Sequence, residues 1–182
     1  DVTAAVRVWN MHRYSFVDVG YSVVTQRSPI RRVVPDGRCG LAVVAGELWW
    51  LGPQSCAWVP ERNGIAVTGL RIAIHAGRAA CGSPLSAWTD RRAALESVWG
   101  RGACARLYQA IAHAPDESGQ VAVLAEAIES RVRRSPQLHT HARLASLTVR
   151  GMRVAEIARQ LGISERQVHR RCLENFGLAP SV

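Results

Sequence analysis

In the first part of the chain, apolar and polar residues alternate over short segments, the pattern of β-strands that bury one face. The clearest case is IAVTGLRIAIH at 65–75, where every second residue is a large apolar one toward its end. Turn signals separate these segments, as in Pro-Asp-Gly at 35–37 and Gly-Pro at 52–53. Short strands divided by frequent turns predict a small β-barrel or sandwich over residues 14–75.

From residue 76 onward the apolar spacing changes to three and four residues, which is typical of amphipathic helices. One predicted helix carries an apolar stripe made of Val121, Leu124, Ala125, Ile128 and Val132. The stripe favours packing against the β-rich part, and the alternative is a symmetric dimer interface. We therefore predict an α+β chain with a sensor-type domain over 1–134, helical over 76–134. A linker is expected over 135–141.

The C-terminal segment 142–182 has the features of two short helices joined by a tight turn. A helix is predicted before the turn because apolar residues recur at helical spacing, namely Val154, Ile157, Ala158 and Leu161. Gly162 allows the sharp turn. Ser164 and Gln167 then have the spacing of a capping box, which starts the following helix. This combination predicts a helix-turn-helix.

The helix after the turn divides into two faces when its residues are placed at 100° intervals. Arg166, His169 and Arg170 share one face, while Val168 and Cys172 lie on the opposite side. We call Arg166, His169 and Arg170 the reading face. A planar arginine side chain can bind guanine O6 and N7 in the major groove of DNA. The pattern therefore predicts an outer face that contacts bases and an inner face that packs.

The charge of the chain is uneven along its length. The net charge is +9, and residues 131–182 contribute +7 of it, from ten arginines and three glutamates. Such a local excess is expected where a protein contacts phosphates. Arg171, beside the reading face, is a predicted phosphate contact. Ser164 and Gln167, at the start of the same helix, complete the set of predicted DNA-binding residues.

The C-terminal segment resembles the first helix-turn-helix of the AraC/XylS family of bacterial transcription regulators. The resemblance is carried by VAEIARQLGISERQVHRRCLENFGLAP, including the capping Ser164 and the Gly177-x-x-Pro180 step. The segments RRVVPDGRCGLAVV, LGPQ, GLRIAIHAGRAACGSPLSAWTD and LESVWG are similar, more loosely, to the sensor of one group of these regulators. The resemblance implies a cupin-like sensor, and the base-reading positions of the family fall on Arg166, His169 and Arg170.

Three departures from the family pattern affect this expectation. Cys172 stands where the family usually has a large aromatic residue, and His169 stands where Gln is common. The DNA-binding region of the family has two helix-turn-helix units joined by a long helix, and only the first is present up to Val182. We therefore expect an incomplete DNA-binding region over 142–182, with weaker operator binding than a chain that carries both units.

Together these features predict a cytoplasmic, sequence-specific transcription regulator. Its expected partners are double-stranded DNA, a second copy of the chain as a homodimer, a small-molecule effector and RNA polymerase, with no membrane. No catalytic residues, cofactor or metal are expected, because the chain lacks a G-x-S-x-G step, a phosphate-binding glycine loop and a zinc signature. The alternative is a protein-interaction module, an anti-activator or co-regulator that docks through the helical hairpin. A docking hairpin has no need of a +7 charge.

The effector-binding residues that we consider are Trp49, Trp50, Trp58 and Arg71. All six tryptophans precede residue 100, and aromatic walls with a polar anchor suit a ligand cavity. Core packing is the alternative for most of them. Adjacent strand residues point to opposite faces, so at most one of Trp49 and Trp50 faces a lumen. The five cysteines contain no C-x-x-C pair, which favours reduced buried thiols over a redox or metal sensor.

Overall fold

The structure, a computed structural model, describes residues 5–24, 34–57, 65–136 and 138–180. These ranges contain six β-strands, seven α-helices and one 3-10 helix, so the predicted α+β class is confirmed. The strands are β1 (Ala5–Asn10), β2 (Val17–Val24), β3 (Gly40–Val44), β4 (Glu47–Leu51), β5 (Ala66–Ile72) and β6 (Arg92–Ala94). The helices are α1 (Gly77–Cys81), the 3-10 helix (Leu85–Ala87), α2 (Leu95–Trp99), α3 (Arg101–Ala112), α4 (Glu117–Arg133), α5 (Leu138–Val149), α6 (Val154–Leu161) and α7 (Glu165–Phe176).

The described strands form one open antiparallel sheet in the order β1-β2-β5-β3-β4-β6. β3 and β4 are joined by Ala45 and Gly46, which both have positive φ, as a tight two-residue hairpin requires. Closure of this sheet into the expected barrel or sandwich stays a prediction. β1 and β6 lie outside the predicted strand region 14–75, and β6 interrupts the region 76–134 that was expected to be helical.

One face of the sheet is buried under α4. On this face Leu41, Trp50 and Leu70 are completely shielded from solvent, because alternate residues of neighbouring strands stack there. Gly20 in β2 lets α4 approach closely, since a Cβ at that position would overlap the side chain of Val121. The main core therefore lies between the sheet and α4.

The apolar stripe of α4 belongs to this core. All of its predicted members are buried, namely Val121, Leu124, Ala125, Ile128 and Val132. The alternative prediction, that this stripe forms a dimer interface, is therefore wrong. Glu129 lies on the same helix, and its buried carboxylate accepts a hydrogen bond from the backbone N–H of Phe16 at 2.7 Å. Arg133 pairs with Glu129 at 3.1 Å.

The last three helices have a separate, smaller hydrophobic cluster. We call residues 138–180 the C-terminal unit and residues 5–133 the sheet region. The cluster contains Leu144, Ala145, Leu147, Val154, Ile157, Ala158, Val168, Cys172 and Phe176. α5 already begins at Leu138, within the segment 135–141 that was expected to be a linker. Leu138, the first residue of α5, packs against the main core, and His141 in the same turn is buried.

Candidate nucleic-acid interface

The turn between α6 and α7 is built by one glycine. Gly162 ends α6 with φ of +64°, a left-handed conformation that favours glycine. The N–H of Ile163 donates to the carbonyl of Ala158 at 3.0 Å, which satisfies a free carbonyl at the end of α6. The side chain of Ile163 packs against the small cluster. These local bonds fix the direction in which α7 leaves α6.

A reciprocal cap starts α7, as the sequence predicted. The N–H of Gln167 donates to Oγ of Ser164 at 3.3 Å, and the N–H of Ser164 donates to Oε1 of Gln167 at 2.9 Å. The Ser164 hydroxyl also donates to Oε1 of Gln167 at 3.3 Å. The geometry therefore gives these two side chains a structural role in the cap. Their contact with DNA stays a prediction.

The two faces of α7 differ in exposure in the way that the helical spacing predicts. Val168 and Cys172 are fully buried in the small cluster, which confirms the inner face. Arg166 is exposed, and the side chain of Arg170 is 64% exposed. His169 is half-buried between them. The reading face is thus turned to solvent, and an arginine at each end of it is accessible.

Most of the positive charge of the C-terminal unit is exposed. Its exposed arginines are Arg143, Arg150, Arg153, Arg159, Arg166 and Arg170, and Arg171 is half-buried. Two of its glutamates lie at helix starts. Glu156 accepts a hydrogen bond from the N–H of Arg153 at 3.3 Å, and Glu165 lies in the first turn of α7. An acidic side chain at a helix start stabilises the helix dipole. The remaining surface has the basic character that phosphate contact needs.

The C-terminal end of α7 packs on the sheet region. Nη1 of Arg78, in α1, donates to Oδ1 of Asn175 at 3.0 Å and to Oε2 of Glu174 at 3.3 Å. The hydroxyl of Thr89 donates to the carbonyl of Gly177 at 2.6 Å. We call this contact, made by residues 174–178 with the sheet region, the seam. No local sequence pattern predicts the seam, because Arg78 and Asn175 are far apart along the chain.

Glycines bring the two sides of the seam together. A Cβ on Gly177 would lie 2.5 Å from Cγ of Pro53 and 2.9 Å from Oγ1 of Thr89. Gly177 also has φ of +74°, so it ends α7 and permits the close approach at the same time. On the other side, a Cβ on Gly37 would lie 3.3 Å from Cδ1 of Leu178. The seam is therefore closely packed.

The predicted effector-binding residues do not share one surface. Trp49 and Arg71 lie on the sheet face that points away from α4, since their register partners alternate with the core residues. Trp50 is completely buried on the opposite face and belongs to the core. Trp50 therefore does not share a surface with Trp49 and Arg71, because neighbouring strand residues face opposite ways, and the effector role of these residues stays a prediction. Trp58 lies outside the described residues.

Around Arg71 the outer sheet face combines charged side chains with small residues. Nε of Arg71 pairs with Oδ2 of Asp36 at 3.1 Å, and its guanidinium lies 5.8 Å from the centre of the Tyr21 ring. Ala42 and Gly69 lie beside these groups in the neighbouring strand positions and leave little side-chain bulk. Burial raises the pKa of Tyr21 above its ordinary value, so its hydroxyl stays a hydrogen-bond donor.

The thiols of the described residues are free and mostly buried. Cys56 is exposed, and the buried ones are Cys39, Cys81, Cys104 and Cys172. Burial raises the pKa of Cys39 strongly, with a smaller contribution from the neighbouring Cys81. A thiol that does not ionise is a poor nucleophile and a poor metal ligand. The interpretation of these four cysteines as packing residues is the one that the geometry supports.

No metal-ligand cluster, membrane-spanning helix or known relative assigns a function to the described residues. Among the described residues, no three His, Cys, Asp or Glu side chains come together as metal ligands would. None of the described helices is long and apolar enough to cross a membrane. No family model, no curated protein and no solved structure matches the chain.

Proposed function

We propose that the chain is a sequence-specific DNA-binding transcription regulator in which α6 and α7 act as a helix-turn-helix. The observation that carries the proposal is the division of α7 into an exposed basic face and a fully buried opposite face. A capped helix of this kind, in a segment with a net charge of +7, suits the major groove of DNA.

In this proposal α7 is the recognition helix. Arg166 and Arg170 each offer a planar fork that matches guanine O6 and N7. His169, between them, donates to an acceptor on a base or a phosphate. Arg171, on the flank of the helix, neutralises a phosphate and sets the position of the helix on the duplex. α6 lies across the backbone, as the first helix does in such motifs.

The sheet region is proposed as the sensor of this regulator. The resemblance to AraC/XylS regulators and the polar group of Arg71, Tyr21 and Trp49 on the outer sheet face support this role. A cupin-like barrel, binding of an effector on this face, a cytoplasmic location, homodimer formation and contact with RNA polymerase belong to the same proposal.

A second candidate is a docking module for another protein. The observation in its favour is Leu173, an apolar residue of α7 that is 40% exposed beside Arg170. Exposed apolar side chains at helical spacing are how a helix docks in a groove. In this case the basic residues would surround the contact and would not read bases.

The proposal is tested by replacing Arg170. Duplexes are first selected from a random pool by the unmodified chain, and affinity for the selected duplex is measured by fluorescence anisotropy. Arg170→Ala is expected to weaken binding about 10- to 100-fold, because one bidentate base contact is lost. The control is Arg101→Ala, which removes an arginine of α3 whose side chain is 93% exposed. Circular dichroism establishes that both variants fold.

Two results would contradict the proposal. One is that the unmodified chain enriches no duplex at all. The other is that Arg170→Ala binds the selected duplex as tightly as the Arg101→Ala control does. If Leu173→Ala then abolished binding of a partner protein, the docking candidate would replace the regulator.

A further inference from the structure

One carboxylate lies between an arginine of the sheet region and an arginine of the reading face. Oε2 of Glu174 is 3.3 Å from Nη1 of Arg78, and Oε1 of Glu174 is 4.0 Å from Nε of Arg170. Glu174 and Arg170 are one turn apart on α7, so their side chains are neighbours on the same helix surface. The two arginines therefore compete for the same negative charge.

The arrangement favours Arg78 in this competition. The Arg78 guanidinium is 25% exposed and also donates to Oδ1 of Asn175 at 3.0 Å, whereas the Arg170 side chain is 64% exposed. Asn175 is itself buried, so it fixes the guanidinium of Arg78 in place. A charged hydrogen bond from a guanidinium that a second acceptor also holds is stronger than a long contact between exposed groups.

We infer that Arg78 is a positioning residue for DNA reading, because it binds the carboxylate of Glu174 more closely than Arg170 does, at 3.3 Å against 4.0 Å. This inference rests on the proposed function. With Arg78 in place, the guanidinium of Arg170 is available to a base, and the negative charge of Glu174 is neutralised where phosphates approach. Without Arg78, the carboxylate turns to Arg170 and repels the backbone of the duplex.

The consequence is that a residue outside the C-terminal unit sets the affinity of the reading face. Arg78 touches no base and no phosphate in this arrangement. Its effect passes through Glu174, and it disappears when Glu174 has no charge. This dependence separates a positioning residue from one that only joins two parts of the chain.

The test is a double-mutant cycle with Arg78→Gln and Glu174→Gln. A glutamine at position 78 keeps a polar side chain but has no charge for Glu174. With the selected duplex, Arg78→Gln is expected to bind about 10-fold more weakly than the unmodified chain. Glu174→Gln is expected to bind at least as tightly as the unmodified chain. The double variant is expected within about 2-fold of Glu174→Gln, since the competing carboxylate is absent.

Salt dependence gives a second readout of the same cycle. The slope of log affinity against log salt is expected to become shallower by roughly one contact in Arg78→Gln and to recover in the double variant. Arg78→Lys keeps the positive charge and is expected to bind nearly as well as the unmodified chain. Arg101→Ala again controls for the loss of one arginine. If Arg78→Gln does not fold, Arg78→Ala takes its place in the cycle.

The outcomes separate the inference from the proposed function. If the unmodified chain selects no duplex, both are overturned. If it selects a duplex but the double variant binds as weakly as Arg78→Gln, only the inference is overturned, and Arg78 is a structural link. Loss of affinity in Arg78→Gln that Glu174→Gln reverses supports the positioning role.

Discussion

The sheet region and the C-terminal unit are stabilised in different ways. The sheet region buries a broad set of side chains between the sheet and the helices α1–α4, whereas the C-terminal unit buries nine residues among its three helices. Units of about 40 residues rarely form a sufficient core alone. The comparison therefore suggests that the C-terminal unit depends on the seam, where Asn175 and Gly177 are buried against the sheet region.

The two parts also differ in what they expose. The C-terminal unit carries seven arginines and three glutamates, a net +4 in 43 residues, whereas the preceding 137 residues carry sixteen arginines and eleven acidic residues, a net +5. The C-terminal unit has a small core and a basic surface, and it packs closely on the larger sheet region. Such a unit is suited to have its orientation set by the sheet region.

The first prediction compares one fully buried residue from each core. Leu124→Ala in α4 and Ile157→Ala in α6 are each expected to cost about 4 kcal/mol, because each leaves a cavity. Hydrogen exchange followed by mass spectrometry is the measurement. Ile157→Ala is expected to speed exchange in α5–α7 only, and Leu124→Ala in both regions. Equal acceleration everywhere in Ile157→Ala would show that the two cores unfold as one.

The second prediction measures the seam with two glycines of similar conformation. Gly162 and Gly177 both have positive φ, but a Cβ on Gly162 meets nothing within 4 Å. Gly162→Ala is expected to cost about 1.5 kcal/mol for the backbone alone. Gly177→Ala is expected to cost about 3 kcal/mol, because its Cβ also overlaps Pro53 and Thr89. Urea unfolding measures both changes in the free energy of unfolding. Equal changes would mean that Pro53 and Thr89 move aside at little cost.

The third prediction concerns pH and has the smallest expected effect. Burial lowers the pKa of His141 below its ordinary value of 6.5, and the charges of Arg78 and His75 lower it further. Burial also lowers the pKa of His75, against an opposing effect of Asp18. The folded chain therefore binds fewer protons than the unfolded chain in this range. The stability that these two histidines contribute is fully present above pH 6.5 and is lost as the pH falls through their lowered pKa values.

The measurement is the melting temperature at pH 7.5 and pH 5. His141→Gln is expected to reduce the difference between the two by roughly 2–4 °C. The control is His12→Gln at an exposed position, which is expected to leave the difference unchanged. A pH dependence that is identical in His141→Gln and in the unmodified chain would exclude His141 as its source.

Local spacing was enough to predict the reading face and the cap of α7. Both depend on residues within one or two turns, so the positions of Val168 and Cys172 followed from helix geometry. The apolar stripe of α4 was equally readable. The surface on which this stripe packs could not be predicted from the sequence. The close approach of Val121 to Gly20 in the folded chain shows that the stripe packs on the sheet and not on a second copy of the chain.

The elements that the sequence did not predict have their causes elsewhere in the chain. β6 consists of Arg92, Ala93 and Ala94, which have no strand pattern of their own, and it forms because the edge of β4 offers hydrogen-bond partners. The seam likewise depends on Arg78 and Thr89 meeting residues about 90 positions later. The separation of Trp49 from Trp50 was predicted, but the sequence could not say which of them joins the core.

The fit around Gly177 has a consequence for joining this sheet region to helical units from other proteins. A C-terminal unit from another protein, joined to this sheet region, would dock only if it had glycine at that place and a side chain that accepts from Arg78. Without them the transplanted unit would lose its fixed orientation and the stability that the seam contributes. Close packing at this one position therefore limits which C-terminal units can be joined to this sheet region.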